Sequence, residues 1–164
     1  MSNSKKVVLL GHFGVGKTSL MRRFVENAFS EEYKVTLGVQ IQKKEVNISE
    51  RKKLSMIIWD IEGNTTIKNT RLSYLLGTSG FIYVFDATRI DTFNDINDEI
   101  DYLTKQYPKA KIKTIANKVD LINVQGLKDL LNNKQIQCDY FTSAKTGKMV
   151  NEMFEALAKE IIKE

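Results

Sequence analysis

A glycine-rich turn near the N-terminus constrains this chain more than any other feature. Residues 11–18 read Gly-His-Phe-Gly-Val-Gly-Lys-Thr and fit the phosphate-binding pattern G-x-x-x-x-G-K-[ST]. An apolar run at residues 7–10 precedes the turn, and a helical pattern at residues 19–25 follows it. Glycines let backbone N–H groups curl around phosphate oxygens, and the helix adds its positive end. The turn is therefore expected to bind phosphate groups, and a turn that binds nothing is the weaker alternative.

The residues of this turn are the first candidate ligands for a bound nucleotide. Lys17 is expected to reach the β- and γ-phosphates, and the Thr18 hydroxyl is expected to bind Mg²⁺. The remaining candidate nucleotide-contacting residues of the turn are Gly11, Phe13, Gly14, Val15, Gly16 and Ser19.

Length and composition favour one globular domain that spans residues 1–164. No apolar run reaches the roughly 18 residues that a membrane helix needs, and the N-terminus lacks a signal-peptide core. The single cysteine, Cys138, cannot form an internal disulfide, which favours a reducing, cytoplasmic location. The net charge is +5, but no nucleic-acid partner is expected, because the lysines are scattered among acidic residues without interleaved aromatic residues.

Strand and helix patterns alternate along most of the chain. Two consecutive strand patterns joined by a polar turn at residues 49–52 are expected to form a hairpin at the sheet edge. The sequence thus predicts an α/β fold, in which about six mostly parallel strands, with one antiparallel edge strand, lie between about five helices. The predicted strands cover residues 5–10, 39–48, 54–60, 81–86, 111–116 and 136–142, and the predicted later helices cover residues 92–107, 125–132 and 150–161.

A further motif follows the buried strand at residues 54–60. Its Asp60 is placed where a phosphate-binding protein of this kind holds Mg²⁺, usually through a bound water. Gly63, three residues later, can offer its N–H to a γ-phosphate. Alone, such an aspartate is more often a loop cap, and the upstream turn makes the metal interpretation the better one.

Two polar segments at the last two predicted strand ends, residues 117–120 and 142–145, indicate recognition of guanine. Guanine presents two adjacent donors, N1–H and the N2 amine, and the single carboxylate of Asp120 can accept both. Adenine lacks this donor pair, so Asp120 argues against a P-loop kinase or ATPase. Asn117 is expected to brace the loop and touch the base edge, and the stem of Lys118 is expected to lie along the ring.

These stretches occur in the order and spacing of the small GTPases of the Ras superfamily, which the chain resembles from Lys5 to its final helix. Residues 33–39 together with Trp59 and Asp60 look most similar to the Rab branch. The resemblance implies the three-layer P-loop NTPase fold and a monomeric molecular switch that binds GTP or GDP with Mg²⁺ and hydrolyses GTP to GDP. The partners that it implies, beside the guanine nucleotide, are effector, exchange-factor and activating proteins.

The resemblance also implies roles for residues outside the turn. Thr36 would be the switch I threonine, whose hydroxyl binds Mg²⁺ and whose N–H contacts the γ-phosphate. The implied metal ligands are Thr18, Thr36 and Asp60, and the implied catalytic residues are Lys17, Thr36, Gly63 and Asn64.

At the nucleoside end, the resemblance implies a second group of contacts. Phe29 would pack across the guanine side of the nucleotide and Tyr33 would cover the phosphates, with simple loop packing as the alternative for both. Ala144 would donate its N–H to the guanine oxygen, while Ser143 and Lys145 would shape that loop.

The chain departs from the family pattern after Asp60. Small GTPases of this kind usually read Asp-Thr-Ala-Gly-Gln there, and the glutamine orients the attacking water. This chain has Asn64, whose side chain is one methylene shorter, so slow intrinsic hydrolysis is expected. Glu62 is a second difference, and its carboxylate either lies near the triphosphate and weakens GTP binding or, as the sequence favours, points to solvent.

Phe13 is another departure, because small residues are common at this position of the turn. Its ring either excludes water and crowds an incoming arginine near the γ-phosphate, or packs aside on the helix of switch II, the segment that the family has around residues 60–64. No arginine occurs between Ala28 and Val39, and Lys34 is the only cation there. A catalytic arginine from switch I is therefore excluded, and fast hydrolysis would need a group from a partner.

The C-terminus differs from that of prenylated relatives. Residues 159–164 contain no cysteine and residue 2 is Ser, so no lipid anchor is expected. The same departures at Asn64, Glu62 and Phe13 keep an alternative function open, a GTP-bound interaction module that does not hydrolyse its nucleotide.

Overall fold

A computed structural model describes residues 3–32, 34–63 and 66–163 of the chain. Over these residues the chain forms six strands and five α-helices. The strands are β1 (Asn3–Leu10), β2 (Val39–Ser49), β3 (Lys52–Ile61), β4 (Gly80–Asp86), β5 (Lys111–Asn117) and β6 (Tyr140–Phe141). The helices are α1 (Lys17–Glu26), α2 (Leu72–Leu75), α3 (Ile96–Gln106), α4 (Val124–Asn133) and α5 (Val150–Ile162).

The strands form a single mixed sheet with the order β2-β3-β1-β4-β5-β6. The β2–β3 pair is antiparallel and lies at the edge, and the other neighbouring strands are parallel. At the centre, Val7 of β1 pairs with Ile58 of β3 and with Gly80 of β4. The predicted α/β fold with one antiparallel edge strand is therefore confirmed.

Two apolar cores cover the two faces of the sheet and explain the helix patterns. On one face, α1 and α5 pack against the sheet, and the rings of Phe24 and Phe154 stack with centroids 4.2 Å apart. On the other face, α2, α3 and α4 contribute side chains such as Leu75, Leu103 and Leu127. The sheet thus lies between two helical layers, which leaves the carboxyl ends of its parallel strands open to a ligand.

The helix predicted over residues 92–107 is shorter than expected. A 3₁₀ turn at Ile90–Thr92 precedes it, and α3 begins only at Ile96. The hydroxyl of Thr92 lies 3.0 Å from the backbone nitrogen of Asp86, from which it accepts a hydrogen bond, and it donates to the carbonyl of Arg89 at 2.7 Å. Threonine hydroxyls that bind the backbone compete with helix formation, so the first turn does not become α-helical.

The last strand is also shorter than the predicted residues 136–142. Gln135 adopts a left-handed conformation with φ 56°, and the N–H of Ile136 donates to the carbonyl of Leu131, which ends α4. The carboxylate of Asp139 then accepts a hydrogen bond from the N–H of Thr114 at 2.8 Å. In a regular strand pair, a backbone carbonyl of the neighbouring strand would accept this hydrogen bond. Only Tyr140–Phe141 remain in the ladder.

None of the helices formed by residues 3–32, 34–63 and 66–163 is long and apolar enough to span a membrane.

Candidate functional site

A cavity of about 480 Å³ opens at the carboxyl ends of the parallel strands. This volume is within the range of roughly 300–1,000 Å³ that is usual for small-molecule sites. Fourteen of the residues singled out from the sequence line it: Phe13, Gly14, Gly16, Lys17, Thr18, Ser19, Phe29, Thr36, Gly63, Asn117, Lys118, Asp120, Ala144 and Lys145. The motifs that are separated in sequence therefore meet around one cavity.

Carbonyl groups of the glycine-rich turn are bound by side chains, which fixes the shape of the turn. Lys17 donates to the carbonyls of Gly11 and His12 at 2.9 and 2.8 Å. Lys118 donates to the carbonyl of Gly14 at 2.7 Å, and Asn117 donates to that of Val15 at 3.0 Å. Because these carbonyls are held by side chains, the N–H groups of the turn are left to bind an anion.

Two glycines of the turn lie where no side chain fits. Gly11 has φ 145°, and a Cβ atom there would lie 2.2 Å from the carbonyl oxygen of Val84. Gly16 has φ 105°, and a Cβ atom there would lie 2.2 Å from Nδ2 of Asn117. The close approach to β4 and to Asn117 therefore requires glycine at both positions.

Burial distinguishes Lys17 from the surface lysines. Its side chain is almost fully enclosed, and this burial lowers its pKa to about 8, although the charge of Asp60 opposes the shift. The ammonium group donates its hydrogen bonds to two neutral carbonyls, and negatively charged phosphate oxygens would be stronger acceptors for it.

A cluster of two hydroxyls and one carboxylate joins three parts of the chain. The Thr18 hydroxyl at the start of α1 lies 2.7 Å from the hydroxyl of Thr36 and also donates to the carboxylate of Asp60. Burial raises the pKa of Asp60, although its hydrogen bonds with Thr18 and Thr36 and the charge of Lys17 oppose this. The three predicted metal ligands are therefore adjacent.

The donor set of this cluster fits Mg²⁺. Asp60 Oδ1 is buried and, among the residues that the structure describes, has no hydrogen-bond partner. Hydroxyl and carboxylate oxygens are hard ligands, and Mg²⁺ commonly takes only one or two protein carboxylates beside water and phosphate oxygens. Within the described ranges, no group of three or more His, Cys, Asp or Glu side chains is placed to hold a metal ion.

The opposite end of the cavity contains the residues expected to recognise the base. Ser143 is buried and donates from its hydroxyl to one carboxylate oxygen of Asp120 at 2.7 Å, which fixes that carboxylate at the cavity wall. The N–H of Ala144 donates to Oδ1 of Asn117 at 3.3 Å. Arg23 of α1 binds the carbonyls of Ala144 and Lys145 at 2.8 and 2.6 Å and so holds the same loop.

The residues after β3 lie directly against the glycine-rich turn. A Cβ atom on Gly63 would lie 2.5 Å from the backbone nitrogen of Phe13, so only glycine fits this approach. Phe13 itself is 48% exposed. Glu62 does not point freely to solvent, because its carboxylate accepts the N–H of Gly38 at 3.2 Å while its own N–H donates to the Gly38 carbonyl at 2.9 Å.

The sequence relationships of the chain agree with this geometry. Residues 6–163 match the sequence model of the Ras family. The Ras-related protein Rab7 of Pisum sativum is 31% identical, and the alignment covers 96% of this chain and 82% of the relative. The Ras-related protein Rab-21 of Geodia cydonium is 35% identical, with 96% of this chain and 70% of the relative covered.

The chain belongs to the Ras family. It is a small GTPase of the Rab-like kind, an enzyme that binds GTP and GDP with Mg²⁺ and hydrolyses GTP. Membership also implies regulator and effector proteins in general.

Some predicted site residues of this small GTPase do not line the cavity. Gly11, Val15, Asp60 and Ser143 are buried behind its wall, where they shape or support the residues that do. Tyr33 and Asn64 lie outside the described residues.

The sequence reasoning also missed residues that line the cavity or hold it. Eight further lining residues are Arg22, Ser30, Glu31, Glu32, Lys34, Val35, Gln40 and Leu121. Most of them flank the motifs closely, so proximity in sequence was the available signal. For Arg23 and Arg89, which bind backbone carbonyls of the site from α1 and from the loop after β4, the sequence carried no signal.

Proposed function

We propose that this small GTPase is a molecular switch that hydrolyses GTP slowly on its own and changes the order of two segments when it does. The segments are switch I around Thr36 and switch II at residues 60–64. The cluster of Thr18, Thr36 and Asp60 carries the proposal, because it joins both segments to the glycine-rich turn through groups that suit Mg²⁺.

At the phosphate end, Lys17 exchanges the carbonyls of Gly11 and His12 for β- and γ-phosphate oxygens. Thr36 and Gly63 donate their N–H groups to the γ-phosphate, so both lose a partner when it leaves. Mg²⁺, bound through Thr18, Thr36 and Asp60, supplies positive charge to the β- and γ-oxygens.

At the base end, the carboxylate of Asp120 accepts the two adjacent donors of guanine. The hydrogen bond from Ser143 leaves the second carboxylate oxygen and the remaining lone pair of the first for the base. Ala144 exchanges its contact with Oδ1 of Asn117 for the guanine oxygen, to which it donates its N–H, while Ser143 and Lys145 shape that loop. Phe29 packs across the guanine side of the nucleotide, and Tyr33 covers the phosphates.

We attribute the slow rate to two departures from the family pattern, at Asn64 and at Phe13. Asn64 carries the amide that orients water on a shorter side chain, and a 1 Å misplacement costs on the order of 100-fold in rate. Phe13 lines the cavity with an exposed ring that crowds an incoming arginine. An activating protein therefore has to supply or reposition a catalytic group.

The remaining elements of the proposal concern the whole chain. We infer a single G domain over residues 1–164 that acts as a cytoplasmic monomer and that exchange factors, effectors and activating proteins recognise by the state of its switches.

Hydrogen exchange tests the switch directly. The protein is saturated with GDP or with a non-hydrolysable GTP analogue in Mg²⁺, and peptides that cover residues 34–38 and 60–63 are compared. Slower exchange of both segments with the analogue is expected, whereas equal exchange in the two states would refute the switch.

The nucleotide carried through purification separates this function from a locked interaction module. Chromatography of the nucleotide released by denaturation is expected to show GDP. Stoichiometric GTP would instead favour the locked module.

A further inference from the structure

Arg89, on the loop between β4 and α3, binds the backbone of the glycine-rich turn from outside the cavity. Its Nη1 donates to the carbonyl of Phe13 at 3.0 Å. The same guanidinium is 3.9 Å from a carboxylate oxygen of Asp86 and 3.7 Å from one of Asp91. The Phe13 carbonyl is thus held by a permanent positive charge that the nucleotide does not supply.

Asp86 connects Arg89 to the next carbonyl of the turn. Its carboxylate is 1% exposed, and its Oδ2 lies 2.8 Å from Nζ of Lys118, which in turn donates to the carbonyl of Gly14. Burial alone would raise the pKa of Asp86, but the hydrogen bonds from Lys118 and Thr88 outweigh it and lower the pKa. One buried carboxylate therefore lies beside two cations that bind consecutive carbonyls.

The loop that carries Arg89 is itself fixed. The N–H of Arg89 donates to the carbonyl of Asp86 at 3.0 Å, and its own carbonyl accepts the Thr92 hydroxyl at 2.7 Å. The Thr92 side chain is buried against the end of β4. The side chain of Arg89 thus extends from a braced backbone, although 41% of it is exposed.

Because the peptide bond is planar, the contact between Arg89 and the Phe13 carbonyl also orients the N–H group that follows it. In a trans peptide the C=O of one residue and the N–H of the next point in opposite directions. A side chain that holds the Phe13 carbonyl outward therefore turns the N–H of Gly14 inward, and Lys118 does the same for the N–H of Val15. Both N–H groups belong to the part of the turn that binds phosphate.

We propose that Arg89, supported by Asp86, is a positioning residue that orients the Gly14 N–H toward the bound phosphates and thereby slows nucleotide release. This rests on the placement of the phosphates in the glycine-rich turn, as set out under the proposed function. It does not depend on the rate of hydrolysis, because release of GDP involves no chemistry.

Dissociation of fluorescently labelled GDP from the full chain tests the role. In Arg89→Ala, release is expected to be about fivefold faster, as for loss of one partly exposed charge-assisted hydrogen bond. The factor is expected to be the same with Mg²⁺ and with excess EDTA, since the contact acts on the turn and not on the metal cluster. The ³¹P resonance of the GDP β-phosphate is expected to shift as well.

Two further variants separate positioning from a general effect on stability. Arg89→Lys keeps the charge and one donor and is expected to restore release to within about twofold of the wild type. Arg51→Ala, which removes an exposed arginine in the β2–β3 turn, is expected to change neither release nor the resonance. The proposal is overturned if Arg89→Ala releases GDP at the wild-type rate, if the effect disappears in EDTA, or if Arg89→Lys behaves like Arg89→Ala.

Discussion

At the scale of single residues, the residues proposed to recognise guanine and those proposed to bind the phosphates lie at opposite ends of the cavity. Asp120 and its partner Ser143 are at one end of the cavity, and Lys17 and Thr18 are at the other. A change at one end is therefore expected to leave the contacts at the other end intact.

Asp120→Asn tests the base end. An amide offers only one oxygen where the carboxylate offers two and places a donor opposite a guanine donor, so GTP affinity is expected to fall by about 100-fold or more. ATP affinity is expected to stay the same. Equilibrium titrations with both nucleotides measure the ratio, and a preserved preference for GTP over ATP would remove Asp120 from guanine recognition.

Asn64→Gln tests the phosphate end. The longer side chain carries its amide where the family pattern has it, so intrinsic hydrolysis is expected to become about tenfold or more faster, as when a misplaced group is restored. GDP release serves as the control and is expected to be unchanged. If the hydrolysis rate of the variant equals that of the wild type, Asn64 is not what limits hydrolysis.

At the scale of elements, the start of switch II is packed against the glycine-rich turn. The approach of Gly63 to the backbone of Phe13 and His12 leaves no space for a Cβ atom, and the atoms in the way are backbone atoms that cannot rotate aside. The position of this segment is therefore coupled to the shape of the turn.

Gly63→Ala is expected to push the start of switch II away from the turn. The variant loses the N–H contact with the γ-phosphate, so binding of a non-hydrolysable GTP analogue is expected to weaken by about tenfold or more, while GDP binding changes little. Gly126→Ala is the matched control, because a Cβ atom there meets nothing closer than 3.8 Å. Equal losses for the analogue and GDP would contradict a specific contact with the γ-phosphate.

The elements that the sequence predicted well are those with unbroken periodic patterns. The central strands and α5 follow directly from apolar runs and helical spacing. The start of α3 and the length of β6 could not be predicted from these patterns. The side chains of Thr92 and Asp139 accept hydrogen bonds from backbone N–H groups that backbone carbonyls would accept in a regular helix or strand. Such local competition leaves the apolar pattern unchanged, so periodicity does not reveal it.

The candidate site likewise contains residues that the sequence pattern indicated and contacts that it did not indicate. Motif residues with a defined chemistry, such as Lys17 and Asp120, could be singled out from the sequence, and both line the cavity. The contact between Glu62 and Gly38 and that between Arg89 and Phe13 were not, because each joins segments that only the folded sheet brings together. A single side chain in a loop carries no pattern that spacing could reveal.

At the scale of the whole molecule, the single cysteine reports on the integrity of the fold. Cys138 packs near the sheet, where its thiol lies 3.2 Å from the carbonyl oxygen of Tyr140. Burial raises the pKa of this thiol to about 12. A neutral, partly buried thiol contributes stability that is complete below the unfolded pKa of about 8.5 and is lost as the pH rises toward 12.

Alkylation of Cys138 is therefore expected to be slow in the folded protein. At pH 8 the thiolate fraction is about three orders of magnitude lower than that of an unfolded cysteine, so iodoacetamide is expected to react mainly in denaturant. Intact-mass measurements with and without urea follow the single modification. Equal rates in both conditions would show that the thiol is accessible and ionised as in an unfolded chain.

Single-turnover hydrolysis tests the central claim most directly. The protein is loaded with GTP labelled at the γ-phosphate, free nucleotide is removed, and release of phosphate in Mg²⁺ is followed over hours. We expect a single slow exponential that reaches one phosphate per bound nucleotide and that Asn64→Gln accelerates. No release over hours, even with candidate activating proteins present, would contradict a GTP-hydrolysing switch.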